Sequence, residues 1–289
     1  MKIHAIETGK VKITKNWRIG RGNGLKRFKN TLFDSEFTEW LPIYVWVIEH
    51  PEGLIVIDTG IPVDANKRIW FPPFMPLVQR AAKFKMTPEQ EVGSQLRQLG
   101  LSPNDVRWVV LTHLHQDHDG GLHHFPNAEF VVSSKEWEMA AGIKGRMNGY
   151  LNQRWPDWFN PRFVDFDSQK PFGPFTGHHT LTQAGDIHLV PTPGHSPGHL
   201  SVILVEDDLM SILFAGDASY TEELLIEQKA DGIGADPDVQ QETHRKILKY
   251  AEQRHTVYLP SHDPGAKERL ENRIPLNINA NLELEAQAV

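Results

Sequence analysis

The run Thr112-His113-Leu114-His115-Gln116-Asp117-His118-Asp119-Gly120-Gly121 follows directly on the apolar stretch Trp108 to Leu111. A short buried strand that empties into three histidines and an aspartate restricts the chain to folds that gather strand ends at one edge. α/β sheets place their sites at the carboxyl ends of strands. Neutral imidazole suits zinc and its neighbours, and a carboxylate beside it adds the negative charge that holds a second divalent ion. With 15 His in 289 residues, His-x-His-x-Asp-His arises by chance on the order of a few times per thousand such chains. The pairs His123-His124 and His178-His179 carry far less weight, because this chain often sets histidines side by side.

Further apolar runs, each too short for a helix, predict strands: Ile43 to Ile48, Leu54 to Ile57, Glu129 to Val132, Leu200 to Val205, Ser211 to Phe214 and Thr256 to Leu259. Helix starts lie between them. Thr87-Pro88-Glu89-Gln90 reads as a capping box with Gly100 at the far end, Ser133 with Glu136 repeats the pattern, and Asp236-Pro237 opens a helix. In that last helix Val239, Ile247, Leu248 and Ala251 form the expected buried face. Alternating strands and helices predict an α/β layered fold. No linker divides the chain, so residues 1–289 read as a single domain. Leu54 to Gly60 and Ser211 to Asp217 echo one another, both apolar strands ending in Asp beside Gly, as in a fold of two similar halves.

With no cysteine, any metal must sit on His and carboxylate. Three more candidates follow apolar runs: His195 on a Pro/Gly turn after Leu189-Val190, Asp217 after Gly216, and His262 after Ser261. Behind the first motif, in this order, they point to a two-metal site. Lys plus Arg is 30 against 37 Asp plus Glu, a formal charge of -7, which lacks the basic footprint of a nucleic-acid binder. No apolar run of membrane-spanning length occurs, and Met1 to Glu7 lacks a signal-peptide core. The expectation is a cytoplasmic protein with neither nucleic-acid nor membrane partner.

The succession HLHQDH, PGHSPGH, AGDASY and PSH, from about Asp58 to His262, resembles the metallo-β-lactamase superfamily. That resemblance implies a four-layer αβ/βα sandwich of two mixed β-sheets flanked by helices, with a metal-binding core at about residues 54–263. It assigns His113, His115 and His195 to one metal, Asp117, His118 and His262 to a second, and Asp217 to both. It also sets Asp58 behind a ligating imidazole, where a simple strand-end turn residue is the alternative. The ions are expected to be zinc, with Mn, Fe or Co open.

An Asp rather than Cys in the second set argues against true β-lactamases. Gly216 to Thr221, His195 to His199 and Ser261-His262-Asp263 are similar to N-acyl homoserine lactone lactonases, which quench quorum signals. In those enzymes a Tyr three residues after the bridging Asp faces the substrate carbonyl, and Tyr220 stands at that offset; a Tyr packed under a loop is the plainer reading. The resemblance implies lactone opening by a metal-bridging hydroxide, with Tyr220 stabilising the oxyanion and Asp117 shuttling a proton. A glyoxalase II-like thioesterase, a phosphoesterase and a non-catalytic metal-binding protein are the rivals. Lys135, Lys144 and Arg146 are too dispersed to suggest a basic patch for the first two. The aromatic segments Trp17 to Trp40 and Trp70 to Met75 read as surface loops suited to an acyl groove, a lid or a homodimer contact, and ordinary packing explains the same residues. Trp155, Trp158 and Phe159 form a third such group.

Overall fold

The structure is a computed structural model that describes residues 1–67, 70–73, 75–166, 170–234 and 236–278; Phe74 of the second aromatic segment and the tail from 279 lie outside the described residues. The apolar runs become largely buried strands, and further strands form outside them. In chain order these are β1 (Lys2–Ile13), β2 (Leu41–His50), β3 (Gly53–Ile57), β4 (Ala82–Lys85), β5 (Val106–Val110) and β6 (Glu129–Ser133). Then come β7 (Arg162–Val164), β8 (His179–Thr180), β9 (Ile187–Pro191), β10 (Leu200–Val205), β11 (Met210–Gly216) and β12 (His255–Pro260). Among the described residues one sheet runs β4-β1-β2-β3-β5-β6-β7 and the other β12-β11-β10-β9-β8. Both are mixed: β3, β5, β6 and β7 run parallel, as do β11 and β12, and the remaining pairs are antiparallel.

Strand periodicity sorts side chains into layers. Trp46, Ile48, Ile55, Ile57 and Val110 of the first sheet face Leu189, Val202, Ile212, Phe214 and Leu259 of the second, and form the central core. Their neighbours Val45, Val47, Val56 and Val109 face outward onto Val92 and Leu96 of the helix Val92–Gln98. On the far side Ile203, Leu213 and Tyr258 meet Ile247 and Tyr250 of the helix Pro237–Gln253. Helix, sheet, sheet, helix is the expected four-layer order.

Two backbone hydrogen bonds stitch the sheets together at one edge: Tyr44 N to Ser261 O, 2.9 Å, and Leu200 N to Thr112 O, 2.9 Å. That edge carries the ends of β3, β5, β11 and β12, and hence Asp58, His113, Asp217 and His262.

Several local expectations change. β1 was not anticipated; its pattern is interrupted at Thr8 and Gly9, where the register against β2 shifts. Trp17 to Trp40 is no loop, since Lys15–Arg18 and Gly24–Phe33 are helical. The Thr87/Gln90 capping box forms, yet it closes only the 3-10 turn Pro88–Gln90; the chain extends at Glu91 (ψ 141°) and the helix restarts at Val92. Asp236 caps its helix through Asp238 N and Val239 N, but Val239 itself is 39% exposed. The buried face there is Gln240, Thr243, His244, Ile247 and Tyr250, because three polar residues on it bond inward to the loops of the site.

Phe214 is fully buried, with its ring 5.8 Å from Trp46 across the sheets. Phe214→Ala is expected to cost about 3–5 kcal/mol of stability, transfer and cavity terms together. Urea unfolding of the two proteins checks this, and a loss below about 1 kcal/mol would mean the intersheet core re-closes without it.

Candidate metal centre

β5 ends at Val110, and the four-residue helix Gln116–Asp119 turns the chain back just beyond it. His118 N and Asp119 N both donate to His115 O, each at 2.9 Å, which winds His113, His115, Asp117 and His118 into one tight turn. His195 arrives on the loop after β9, Asp217 directly after β11, and His262 two residues after β12.

The seven side chains meet. His115 Nδ1 lies 3.0 Å from both His113 Nε2 and His195 Nε2. In a second group, His262 Nε2 is 3.5 Å from Asp117 Oδ2 and 3.4 Å from Asp217 Oδ1, while His118 Nε2 is 3.3 Å from that same Asp217 oxygen. Asp217 Oδ2 looks the other way, 3.5 Å from His195 Nε2. One carboxylate thus faces both groups with different oxygens.

The donor chemistry fits divalent ions. His118 Nδ1 must carry the proton, because it bonds to the acceptor-only Asp58 carboxylate at 2.8 Å. His118 Nε2 is then the nitrogen turned to the centre, buried 3.3 Å from Asp217 Oδ1, and neither atom has a hydrogen-bond partner among the described residues. Such a pair calls for a proton or a metal cation between the two atoms.

Each imidazole is aimed from behind. Asp58, at the end of β3 with φ of 62°, accepts from Thr112 N and from His118 Nδ1, each at 2.8 Å, so the orienting role is the one the geometry supports. His262 Nδ1 donates to Pro42 O at 2.8 Å. His195 Nδ1 donates at 2.7 Å to Asp231, which is itself fixed by Gln240 Nε2, Ile233 N and Gly234 N. His199 Nε2 accepts from Asp217 N at 3.0 Å; burial pushes this imidazole down to about 3, which keeps that nitrogen an acceptor. Gly216, at φ of 56°, lets β11 close here, since a Cβ would sit 2.7 Å from His199 Nε2 and from Thr112 Oγ1.

Asp231 and Glu136 were missed by sequence reasoning. Asp231 follows no strand and belongs to no motif, so nothing in the sequence marks it. Glu136 looked like a capping residue, but Ser133 makes no side-chain cap. Fully buried, Glu136 instead accepts from Leu114 N (3.1 Å), Tyr150 Oη (3.1 Å), Ser196 Oγ (2.6 Å) and Gly198 N (3.2 Å). One carboxylate therefore ties the His113–His115 turn to the His195 loop. Burial pushes its carboxyl up while these donors pull against the rise.

Burial, reinforced by the neighbouring imidazoles, holds His113 and His115 well below the usual histidine range, so both are neutral and keep a lone pair to offer. Burial acts against charge on His118 too, yet the Asp217 and Asp58 carboxylates outweigh it and hold that imidazole well above. For Asp217, burial favours the neutral acid, but His262 and His118 hold it far below the carboxylate range. The carboxylates thus create a field that draws positive charge to the point where the ligands converge.

A cavity of about 640 Å³ opens onto this point. His115, Asp117, Asp217 and Tyr220 line its polar end, while Ile13, Trp17, Phe28, Leu32, Phe84 and Met147 line the rest. The first two aromatic segments therefore reach the cavity, through Trp17, Phe28 and Met75. Trp155 and Phe159 instead pack on Trp137 against the first sheet, as ordinary core.

A family model described as the metallo-beta-lactamase superfamily matches residues 38–262. N-acyl homoserine lactonase AiiA of Bacillus thuringiensis subsp. kurstaki is 28% identical over 225 residues, 77% of this chain and 82% of its own. N-acyl homoserine lactonase AttM of Rhizobium radiobacter is 27% identical over 281 residues, covering 92% and 94%. A solved N-acyl homoserine lactone hydrolase, with N-hexanoyl-L-homoserine bound at its catalytic metal centre, superposes with a TM-score of 0.74 at 24% identity, over 92% of this chain and 95% of that one.

Asp231→Asn keeps the shape but removes the charge behind His195. Zinc affinity of the His113–His115–His195 group is expected to fall roughly 10–100-fold. Competition with a chromophoric chelator measures it, and an unchanged affinity would show that Asp231 only fills space.

Proposed function

Because the chain belongs to the metallo-β-lactamase superfamily, we propose that it is a two-metal hydrolase that opens the lactone ring of N-acyl homoserine lactones. The observation that carries this reading is a cavity with mostly apolar walls that opens onto Tyr220 and the His/Asp cluster. A neutral lactone head with an acyl tail suits such a shape. Among the described residues no Lys or Arg lines it; a glutathione thioester or a phosphodiester would call for cationic walls.

In this reading His113, His115 and His195 would hold one ion, Asp117, His118 and His262 the other, and Asp217 would serve both. When bound, divalent ions would lower the pKa of a water held there and polarise an ester carbonyl. Tyr220 supplies a hydrogen bond to the carbonyl oxygen as charge develops there. Burial, then the Asp217, Asp231 and Asp117 carboxylates, hold the Tyr220 hydroxyl well above its ordinary value, so it stays a phenol with a proton to donate. Its ring stacks on His262 at 5.3 Å, and its oxygen accepts from Trp17 Nε1 at 3.0 Å. An indole only donates. Trp17 therefore occupies a lone pair of Tyr220 and leaves the hydroxyl proton free to turn toward substrate. Asp117, the partly exposed carboxylate of the cluster, is placed to pass a proton to the departing ring oxygen. The apolar walls hold the acyl chain and keep bulk water away from the carbonyl.

A hydrolysis panel on metal-loaded protein tests the proposal: acyl homoserine lactones of several chain lengths against a glutathione thioester and an aryl phosphodiester. Lactones are expected to give the highest kcat/KM, and no lactone opening would sink the assignment. Tyr220→Phe is expected to raise the activation barrier by about 1 to 4 kcal/mol. Trp17→Phe should lower kcat less, and should cost nothing further in the Tyr220→Phe background; additive losses would separate Trp17 from the hydroxyl.

A further inference from the structure

Beyond the buried centre, one other group of ligating side chains converges among the described residues. Where the expected helix breaks, at Glu91, the carboxylate is held on one side by Val63 N, which donates to Oε1 at 2.8 Å. Its other oxygen, Oε2, lies 3.1 Å from His124 Nε2 and 3.9 Å from His123 Nε2. The three donor atoms fall within 4.8 Å of one another.

We propose that Glu91, His123 and His124 form a third metal site, a 2-His-1-carboxylate set for a borderline divalent ion such as Zn²⁺, open to water on its remaining positions. Two neutral imidazoles and one carboxylate are a known type of donor set for such ions. Glu91 and His124 are pre-positioned, with side chains 16% and 13% exposed, while His123 is 50% exposed and has room to swing onto the ion. Gly93 makes space for the His124 ring, because a Cβ there would lie 2.5 Å from Nδ1. His124 Nε2 shares its proton with Glu91 Oε2 at 3.1 Å, so an ion bound at that nitrogen displaces the proton. A cavity of about 460 Å³ adjoins the group, with Asp64, Gln116 and Asp119 in its lining, and gives an ion and its waters a route in. The ion would clamp the turn Leu122–His124 to the start of the helix Val92–Gln98.

Zinc per chain is counted by equilibrium dialysis and elemental analysis at micromolar free Zn²⁺, for wild type, His123→Ala and Glu91→Gln. The expected result is one equivalent fewer in each variant than in wild type, whatever the buried centre holds. In wild type alone, that last equivalent should shift the imidazole ¹⁵N resonances of His123 and His124. Equal zinc counts in all three proteins, or a lost equivalent with no shift at those two histidines, would overturn the site. The difference between proteins tests this site, and the absolute count tests the two-metal reading separately.

Discussion

Everything at the active edge turns on Asp217 sitting between two groups of lone pairs. Its Oδ1 faces His118 and His262, its Oδ2 faces His195. Such an arrangement repels itself unless positive charge is present, and among the described residues no Lys or Arg lines the cavity to supply it. The network behind the ligands is built to hold them in that configuration. Asp58, Asp231 and Pro42 O take one nitrogen of an imidazole each, leaving the other committed to the centre. The two sheets must then meet at one edge, because the residues involved stand at strand ends of both.

This division explains what the sequence made legible. Interior strands were readable because they are buried on both faces and show as unbroken apolar runs, β2 and β11 above all. β1 was not, since Gly9 interrupts it and its exposed positions dilute the pattern. The candidate ligands were readable because coordination demands particular residue types at strand ends. Their supports were not, because a carboxylate can orient an imidazole from any segment that folds back far enough. Asp231 does so from an irregular loop, and Glu136 ties two of the site's loops together from a position that looks like an ordinary helix start. In the helix Pro237–Gln253 the apolar residues Ile247, Leu248 and Ala251 do pack on the core, but Gln240, Thr243 and His244 are buried for their hydrogen bonds, so hydrophobic periodicity marked only part of the buried face.

The aromatic segments illustrate the opposite ambiguity. Trp17 and Trp155 are equally apolar in sequence, and each indole donates one hydrogen bond, to Tyr220 Oη and to Asp119 Oδ2 respectively. Trp155 stacks on Trp137 at 5.1 Å and stabilises the outer face of the first sheet. Trp17 lines the cavity and donates to the Tyr220 hydroxyl beside the His/Asp cluster. No composition argument separates these roles, because the difference lies in which element the ring packs against.

The polar network also bears on stability. Glu136, Asp58, Asp231 and Asp217 are buried carboxylates, and each is costly unless its partners stay in place. Removing one partner leaves a charge stranded, so these groups should fold and unfold together rather than fray singly. The ligands are spread from His113 to His262, and no local segment contains a complete set. Whatever cation they bind is bound by the native arrangement and hardly at all by the unfolded chain, which makes its binding free energy a contribution to folding. The fold edge and the reactive centre are in that sense the same interaction: what aligns four strand ends for chemistry also holds the two sheets in register.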